Sequence, residues 1–377
     1  MSRTAVIVAG ELSGEMHAAR LVGALGASAE IAWSGIGGSR LAEAGVDIIH
    51  DYRDISITGV SEVFGKAHHI WRAYRAVRRR LIEGRPDLLV LVDFPGFNLR
   101  VAALAKRLSI PTVYFIPPQV WAWRSGRIKQ IKKRVDLVLC ILPFEEALYR
   151  RHGVPVRYVG HPFPHTVKPL YAKEEFFERF GIESGGAVVT VMPGSRQNEV
   201  KRHLPVLGRV VDRLRSETGR LTVLLPVAES LDEGCFAPFL EGRPFIIPVR
   251  GLPYDCLAHA DAAVVASGSA TLEAAVLGVP AVVIYKVSYF SYLIARMVVR
   301  VRHISLPNVI AGHEVYPEFV QSLDAEKIVR RVLSMINNDR LAVRKEMEDV
   351  RKSLVLPGRD PYDVAAGEIL RLIGQEA

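Results

Sequence analysis

The residues best suited to chemistry form a short loop between a strand and a helix. Residues 187–200, AVVTVMPGSRQNEV, place Pro-Gly-Ser-Arg between an apolar run and a helix-like stretch. Gly194 permits a tight turn that exposes backbone N–H groups near Ser195, and the Arg196 guanidinium matches two phosphate oxygens. The loop predicts an anion site. The alternative is an ordinary strand-to-helix connection with a surface arginine.

A second turn of this kind follows the apolar run that begins at residue 262. Its backbone N–H groups and hydroxyls can hold phosphate, and Glu273 can accept hydrogen bonds from both hydroxyls of a ribose. Helix capping by Ser269 or Thr271 explains the same residues. The two turns together predict a nucleotide cradle, to which the second contributes Ser267, Gly268, Ser269, Thr271 and Glu273.

A polar loop follows at 302–321, RHISLPNVIAGHEVYPEFVQ. Its prolines and Gly312 favour a loop followed by a short helix, and Asn308, Glu314 and Gln321 can close on a base or a sugar. Ordinary surface turns have the same composition.

The N-terminal half carries a different loop, GELSGEMHAARL, at 10–21. It lacks the third glycine of a dinucleotide fingerprint, and an acid inside the loop repels pyrophosphate. Glu11, Ser13 and Glu15 therefore suit a hydroxyl-rich substrate, and His17 is either a further site residue or a surface histidine of the helix.

Asp93 ends the apolar run DLLVLVD, immediately before Phe-Pro-Gly. A carboxylate at the carboxyl end of a buried strand suits a general base that removes a proton from an attacking hydroxyl. The structural alternative is an Asx-type turn, with Asn98 nearby.

Two segments combine aromatic rings with cations. In 116–134, IPPQVWAWRSGRIKQIKKR, Trp121 and Trp123 can line a sugar or phosphate pocket. In 63–82, VFGKAHHIWRAYRAVRRRLI, helical spacing predicts a cationic amphipathic helix that binds an anionic membrane surface through Trp71, Arg72, Arg75, Arg78 and Arg79. Core packing of its apolar stripe and nucleic-acid binding are the alternatives. The segment 289–303 is a second membrane candidate.

Composition sets the wider limits. The chain has 377 residues, a formal net charge of +9 and three widely separated cysteines. This predicts two globular domains, an anionic partner, and neither a zinc site nor a disulfide framework. The short apolar N-terminus favours a first strand over a signal peptide, and no run reaches the roughly 18 to 20 apolar residues of a membrane span. We therefore expect a cytoplasmic protein.

Short continuous apolar runs alternate with helical patterns, which is typical of parallel strands covered by helices on both faces. The runs lie at 4–9, 87–93, 111–116, 136–142, 187–192, 221–227, 262–267 and 281–285. The fold class is therefore α/β, doubly wound. A proline-rich segment from Gly160 predicts the domain boundary. The residues from Ala325 to Gln375 are predicted to be helices, the last of which can cross back to the first domain.

Eight motifs occur in a fixed order: GELSGE, DFPGFN, PPQVWAW, LPFE, GHP, MPGSRQNEV, SGSATLE and SLPN. Through them the chain, from Val8 to Gln321, resembles the lipid-A-disaccharide synthase family. The resemblance implies a GT-B fold of two Rossmann-like domains facing across a cleft. Residues 1–165 would bind the acceptor and face the membrane, residues 166–340 would bind the UDP-sugar, and residues 341–377 would form the terminal helices.

The resemblance also implies the reaction. A 2,3-diacylglucosamine unit would pass from UDP to the 6-hydroxyl of 2,3-diacylglucosamine 1-phosphate, with inversion to a β(1→6) bond. Asp93 would be the base, Arg196 would hold the diphosphate, Glu273 the ribose, and Asn308 would lie near the nucleotide. No metal or cofactor is implied, and the site of action would be the cytoplasmic face of the inner membrane. The family's first loop more often ends in Ser-Gly-Asp, so Glu15 is a departure.

Two other functions fit parts of the chain. An enzyme like UDP-N-acetylglucosamine epimerase would share the two α/β halves but would need no acyl-chain surface. A basic nucleic-acid-binding protein would explain the charge but neither Asp93 nor the tryptophan pair.

Overall fold

The computed structural model describes residues 3–55, 62–122, 125–228, 231–288, 292, 301–337 and 340–374. The chain forms two compact units. The first comprises Met1–Pro162 with Leu354–Ala377, and the second is Phe163–Ser353. The division thus lies at Pro162 rather than at residue 165. Of the residues expected to form the terminal helices, those up to Ser353 stay with the second unit, and the rest belong to the first.

The first unit contains a parallel sheet of seven strands in the order β3-β2-β1-β4-β5-β6-β7. The strands are β1 Arg3–Ala9, β2 Ile31–Gly37, β3 Asp47–Asp51, β4 Leu88–Val92, β5 Thr112–Phe115, β6 Leu137–Cys140 and β7 Val156–Tyr158. The helices are α1 Leu12–Gly26, α2 Ser39–Glu43, α3 Glu62–Gly84, α4 Pro95–Arg107, α5 Arg127–Arg134 and α6 Pro143–Arg151, with a 3-10 turn at Tyr52–Asp54.

The second unit contains a parallel sheet of six strands in the order β10-β9-β8-β11-β12-β13. The strands are β8 Ala187–Met192, β9 Leu221–Val227, β10 Ile246–Arg250, β11 Ala262–Ala266, β12 Ala281–Tyr285 and β13 Glu318–Val320. Its helices are α7 Phe163–Thr166, α8 Lys173–Phe180, α9 Gln197–Thr218, α10 Ala237–Leu240, α11 Pro253–Ala258, α12 Ser269–Val276, α13 Leu306–Ala311, α14 Ala325–Asn337 and α15 Arg340–Ser353, with a 3-10 turn at Glu233–Phe236.

The doubly wound prediction is confirmed, because every one of the eight apolar runs contains a strand. Neighbouring residues of a strand point to opposite faces of the sheet, so both faces must be covered. In β4, Leu91 packs with Val77 of α3, whereas Val90 packs on the other side with Leu21 of α1. A single sheet therefore carries two cores.

The last helix, α16 (Pro361–Leu372), completes the first unit by packing against α1. Asp360 caps it by accepting a hydrogen bond from the Tyr362 backbone N–H at 2.8 Å. The Tyr362 hydroxyl lies 2.8 Å from Nδ1 of His17 in α1. The chain therefore returns to its own N-terminal unit after completing the second one.

The cationic helix α3 combines two of the interpretations offered by its sequence. Val77 and Leu81 are fully buried, and Ile70 and Tyr74 pack against the same core. The apolar stripe thus packs on the core, completely at Val77 and Leu81 and partly at Ile70 and Tyr74. The opposite side exposes Trp71 and the arginines at 72, 75, 78 and 79.

No described helix combines the length and apolar character needed to span a bilayer. The second membrane candidate, 289–303, lies mostly outside the described residues.

We expect the first unit to lose stability as the pH falls from 6.5 towards 4. Burial lowers the pKa of His17 to about 4 and that of His161 to about 3, against an ordinary 6.5. Below pH 6.5 the imidazoles of the unfolded chain bind protons, whereas those of the folded chain stay neutral until the pH nears their lowered pKa. Each imidazole therefore lowers the free energy of unfolding by up to about 1.4 kcal/mol per pH unit of acidification. Urea unfolding at several pH values measures this slope.

The double variant His17→Gln/His161→Gln should flatten that dependence. His152→Gln, which alters an exposed histidine of the same unit, is the control and should leave it unchanged. A double variant with the wild-type slope would contradict the assignment.

Candidate functional site

In each sheet the strand order reverses next to the first strand of the unit. β1 lies between β2 and β4, and β8 lies between β9 and β11. At such a switch point, the loops that follow the two central strands diverge and leave room for a ligand. The residues after β1, β4, β8 and β11 are those that the sequence singled out.

Asp93 follows β4 in a strained turn. The φ angles of Asp93 and Phe94 are 45° and 43°, and that of Ile116, after β5, is 54°. Each non-glycine residue in this region costs roughly 1 to 3 kcal/mol, and such strain clusters at functional sites.

Hydrogen bonds hold this turn in place. The Asp93 N–H donates to the Ile116 carbonyl at 3.3 Å, and the Asp93 carbonyl accepts from the Tyr114 hydroxyl at 2.6 Å and from Asn98 Nδ2 at 2.8 Å. Asn98 thus binds the backbone of the turn and not the Asp93 carboxylate. Asn98 is therefore not a hydrogen-bond partner of the Asp93 side chain in an Asx-type turn.

Burial raises the pKa of the Asp93 carboxyl, and the Phe94 backbone N–H opposes that shift. A raised pKa brings a carboxylate closer to the basicity that a general base needs near neutral pH. The side chain lies beside the first turn of α1, where a Cβ added at Gly14 would be 3.9 Å from the Asp93 Cβ.

The loop after β1 borders the same turn. A Cβ at Gly10 would lie 2.3 Å from the Phe94 ring, so only glycine allows this approach. Glu11 and Ser13 are exposed at the start of α1. The structure therefore brings these two predicted residues to the same sheet edge as Asp93.

Glu15 requires a correction. It is 1% exposed, and its Oε1 accepts hydrogen bonds from the backbone N–H groups of Gly38 at 2.7 Å, Arg40 at 3.1 Å and Leu41 at 3.3 Å. The carboxylate caps α2 and ties it to α1. Its position is structural, and the expectation that it meets the acceptor is wrong.

His17 is a contact between α1 and α16 through Tyr362. With its pKa lowered to about 4 by burial and by Arg20, the ring is neutral at physiological pH. It is neither a surface histidine nor a cation available to a phosphate.

Two residues of α6 fix the position of Trp121. Its indole N–H donates to Glu145 Oε1 at 3.1 Å, and its ring meets Phe144 edge-on at 5.1 Å. Burial raises the pKa of Glu145 to about 8. Glu145 belongs to the LPFE motif, so the motif was visible in the sequence although its role was not. Trp123 lies outside the described residues.

The loop after β8 presents the predicted anion-binding residues. Gly194 has a φ of 118°, a conformation that favours glycine, and Ser195 and Arg196 are exposed. Arg196 occupies the N-cap position of the 22-residue helix α9, and its Nη1 pairs with Glu199 Oε1 at 3.2 Å. The backbone N–H groups at the start of a long helix provide positive potential here.

His203 fixes that loop and was not predicted. It is fully buried; Nδ1 donates to the Pro193 carbonyl at 2.7 Å, and Nε2 accepts from the Lys286 N–H at 2.9 Å. Both partners demand the neutral ring, and burial lowers its pKa. Its helical spacing with Val200 and Leu207, both in the apolar stripe of α9, was the available signal.

The turn after β11 is partly structural. The Ser267 hydroxyl donates to the Ile304 carbonyl at 2.9 Å, and that of Thr271 donates to the Gly268 carbonyl at 2.8 Å. The hydroxyl protons of these two side chains are therefore used to hold the turn. Gly268 and Ser269 are exposed at the N-terminus of α12. Burial raises the pKa of Glu273 to about 7, and a hydrogen bond from Ser269 opposes the shift.

The predictions for Asn308 and Gln321 are corrected in the same way. Asn308 is fully buried; its amide donates to Tyr316 O and Glu318 Oε1 and accepts from the N–H groups of Val315 and Tyr316. The Gln321 amide pairs with both backbone groups of Val287. Asn308 is therefore not available for a base or a sugar, whereas Gln321, which is half-buried, uses one N–H and one lone pair of its amide to bind the Val287 backbone.

Among the described residues, no group of three His, Cys, Asp or Glu side chains could hold a metal ion.

The comparisons with known proteins agree with this arrangement. The family model described as lipid-A-disaccharide synthetase matches residues 5–360. The chain belongs to the lipid-A-disaccharide synthase family. The lipid-A-disaccharide synthase of Syntrophus aciditrophicus is 42% identical over 363 residues, which cover 95% of each chain. That of Geobacter sulfurreducens is 37% identical over 380 residues and covers 100% of this chain and 98% of its own.

Solved structures share the fold of this lipid-A-disaccharide synthase family member at low identity. A co-structure of S. aureus MnaA with UDP has a TM-score of 0.67 at 14% identity and covers 100% of this chain and 99% of its own. Phytolacca americana UGT2, complexed with UDP-2fluoro-glucose and pterostilbene, has a TM-score of 0.65 at 14% identity. The match covers 99% of this chain and 100% of that one. The GT-B prediction is confirmed, and the chain is a glycosyltransferase of lipid A biosynthesis.

Proposed function

We propose that this enzyme transfers 2,3-diacylglucosamine from UDP to the 6-hydroxyl of 2,3-diacylglucosamine 1-phosphate, forming a β(1→6) bond with inversion. Family membership supports the reaction class. The observation that carries the mechanism is the strained turn that presents Asp93 beside Glu11 and Ser13 at the switch point of the first sheet.

Asp93 is the proposed general base. The acceptor's 6-oxygen attacks the anomeric carbon of the donor, Asp93 takes the hydroxyl proton, and the bond from the anomeric carbon to the UDP oxygen breaks. One displacement inverts the anomeric centre. The raised pKa of Asp93 favours proton uptake as the new bond forms.

The second unit supplies the proposed UDP site. Arg196 and the backbone N–H groups at the starts of α9 and α12 would bind the diphosphate as charge develops on it. Glu273, beside Ser269, would accept hydrogen bonds from the ribose hydroxyls. With these groups to stabilise the leaving UDP, we propose that the enzyme uses neither a metal nor an organic cofactor.

The exposed side of α3 is the proposed membrane contact, at the cytoplasmic face of the inner membrane. The Arg75 guanidinium lies 4.6 Å from the centre of the Trp71 ring, and Trp71 is 54% exposed. An aromatic ring beside cations suits the headgroup level of an anionic bilayer. This position would also give access to substrates that carry acyl chains.

Arg196→Ala should weaken UDP binding by roughly tenfold or more, because hydrogen bonds to charged groups contribute about 1.5 to 3 kcal/mol. Isothermal titration calorimetry measures the dissociation constant. Arg209→Ala removes an exposed arginine further along the same helix, whose Nη1 donates to the Pro205 carbonyl at 3.2 Å, and should bind UDP like the wild type. Equal affinity in the two variants would remove Arg196 from the site.

Asp93→Asn should lower turnover by about 10² to 10⁴-fold, the contribution of a general base, with UDP affinity unchanged. UDP release is measured with and without the acylated acceptor. Asp87→Asn changes an exposed aspartate just before the same strand and should keep wild-type turnover. Activity retained by Asp93→Asn would refute the base, and UDP release without acceptor would favour an epimerase-like reaction.

Arg75→Glu/Arg78→Glu/Arg79→Glu should reduce co-sedimentation with anionic vesicles, since each cation near such a surface contributes about 1 kcal/mol. Arg330→Glu/Arg331→Glu/Lys345→Glu reverses the same amount of charge on exposed helices of the second unit and is the control. Equal losses in both variants would show that net charge, and not α3, drives binding.

A further inference from the structure

A cavity in the first unit remains unexplained by the site described above. It is an open groove of about 600 Å³ between α3 and α4, within the range of sites for small ligands. Its lining consists of Ala67, Ile70, Trp71, Tyr74, Phe97, Arg100, Ala103, Arg107 and Arg134.

The floor of this groove is apolar and its border is cationic. Ile70, Tyr74 and Phe97 supply the apolar surface, and Tyr74 meets Phe97 edge-on at 6.3 Å. Among the residues whose side chains the structure describes, no carboxylate lines the groove. The groove therefore suits a ligand that is part hydrocarbon and part anion.

The three arginines of the border donate to backbone and amide oxygens or have no acidic partner among the described residues. Arg134 Nη1 donates to the Leu99 carbonyl at 2.9 Å and to Gln130 Oε1 at 3.1 Å, and Arg107 Nε donates to the Ala103 carbonyl at 3.3 Å. Within the described ranges, neither these two nor Arg100 forms an ion pair with a carboxylate. Such guanidiniums bind phosphate well.

The groove begins next to the proposed base. Phe97 stacks on Phe94 with ring centres 5.5 Å apart, and Phe94 is the residue after Asp93. A chain lying along the groove from Phe97 would start at a ring that contacts the neighbour of Asp93 in the chain. At its outer side the groove is bordered by Trp71, on the exposed side of α3.

We propose that the groove between α3 and α4 binds an acyl chain of the acceptor, with the acceptor's phosphate on Arg100, Arg107 and Arg134. The inference rests on the proposed function, because that function defines an acceptor with both an acyl chain and a phosphate. With its acyl chain and its phosphate bound on one face of the first unit, the acceptor would direct its 6-hydroxyl towards Asp93.

Filling the groove tests the acyl-chain site. In detergent micelles with saturating donor, Ala103→Trp should raise the KM for the acylated acceptor by at least about tenfold, since each buried methylene contributes appreciably to binding. UDP affinity should stay unchanged. Ala147→Trp, on the exposed face of α6, is the matched control and should retain the wild-type KM.

Removing two of the border arginines tests the phosphate site. Arg100→Ala/Arg107→Ala should raise the KM for the phosphorylated acceptor by about tenfold, because charged hydrogen bonds are lost. The KM for the same diacylglucosamine without phosphate should change less than about twofold by the same argument. Equal effects on both acceptors would overturn the phosphate assignment.

A spectroscopic measurement uses Trp71, at the border of the groove, as its probe. An acceptor brominated on its acyl chain should quench Trp71 fluorescence in the wild type, and Trp71→Phe should abolish that component. Equal quenching by a brominated donor would assign the groove to that lipid and overturn the proposal.

The proposed function and the groove assignment would fail in different experiments. If the wild type releases no UDP with the acylated acceptor, the proposed function fails. If it is active while Ala103→Trp behaves like Ala147→Trp and the brominated acceptor does not quench, only the groove assignment fails.

Discussion

The reversal of strand order beside β1 and beside β8 is the constraint on which the rest of this protein depends. At each reversal, two loops leave adjacent strand ends in opposite directions and cannot cover the gap between them. In the first unit the gap receives Asp93 and the start of α1. In the second it receives Arg196 and the start of α12. The strand order of each sheet therefore determines where the reactive side chains of that unit can lie.

Buried polar side chains then fix the loops at these gaps. Asn98 and the Tyr114 hydroxyl hold the strained turn at Asp93, and His203 ties the Pro193 carbonyl to the end of β12. Each contact satisfies a backbone group that would otherwise be costly to bury. These internal hydrogen bonds therefore hold the backbone that presents Asp93 and Arg196.

The same principle explains the predictions that failed. Glu15 and Asn308 lie in the first turns of helices and Gln321 directly follows a strand. Their types alone suit a sugar or a nucleotide as well as they suit a backbone amide. Which partner they have depends on segments distant in sequence, such as Gly38 for Glu15. The strands outside the eight apolar runs were missed for a related reason. Except for β2, which contains two glycines, they lie at sheet edges and are short or polar.

The sequence by itself determined the α/β class, the eight central strands, the two glycine-containing turns and, through its ordered motifs, the family. These features are local, because apolar continuity and turn chemistry act over a few residues. Only the tertiary structure decided which polar residues face outward and which hold the loops from within. It alone also revealed the groove between α3 and α4, because that cavity arises from the packing of two helices separated by the whole of β4.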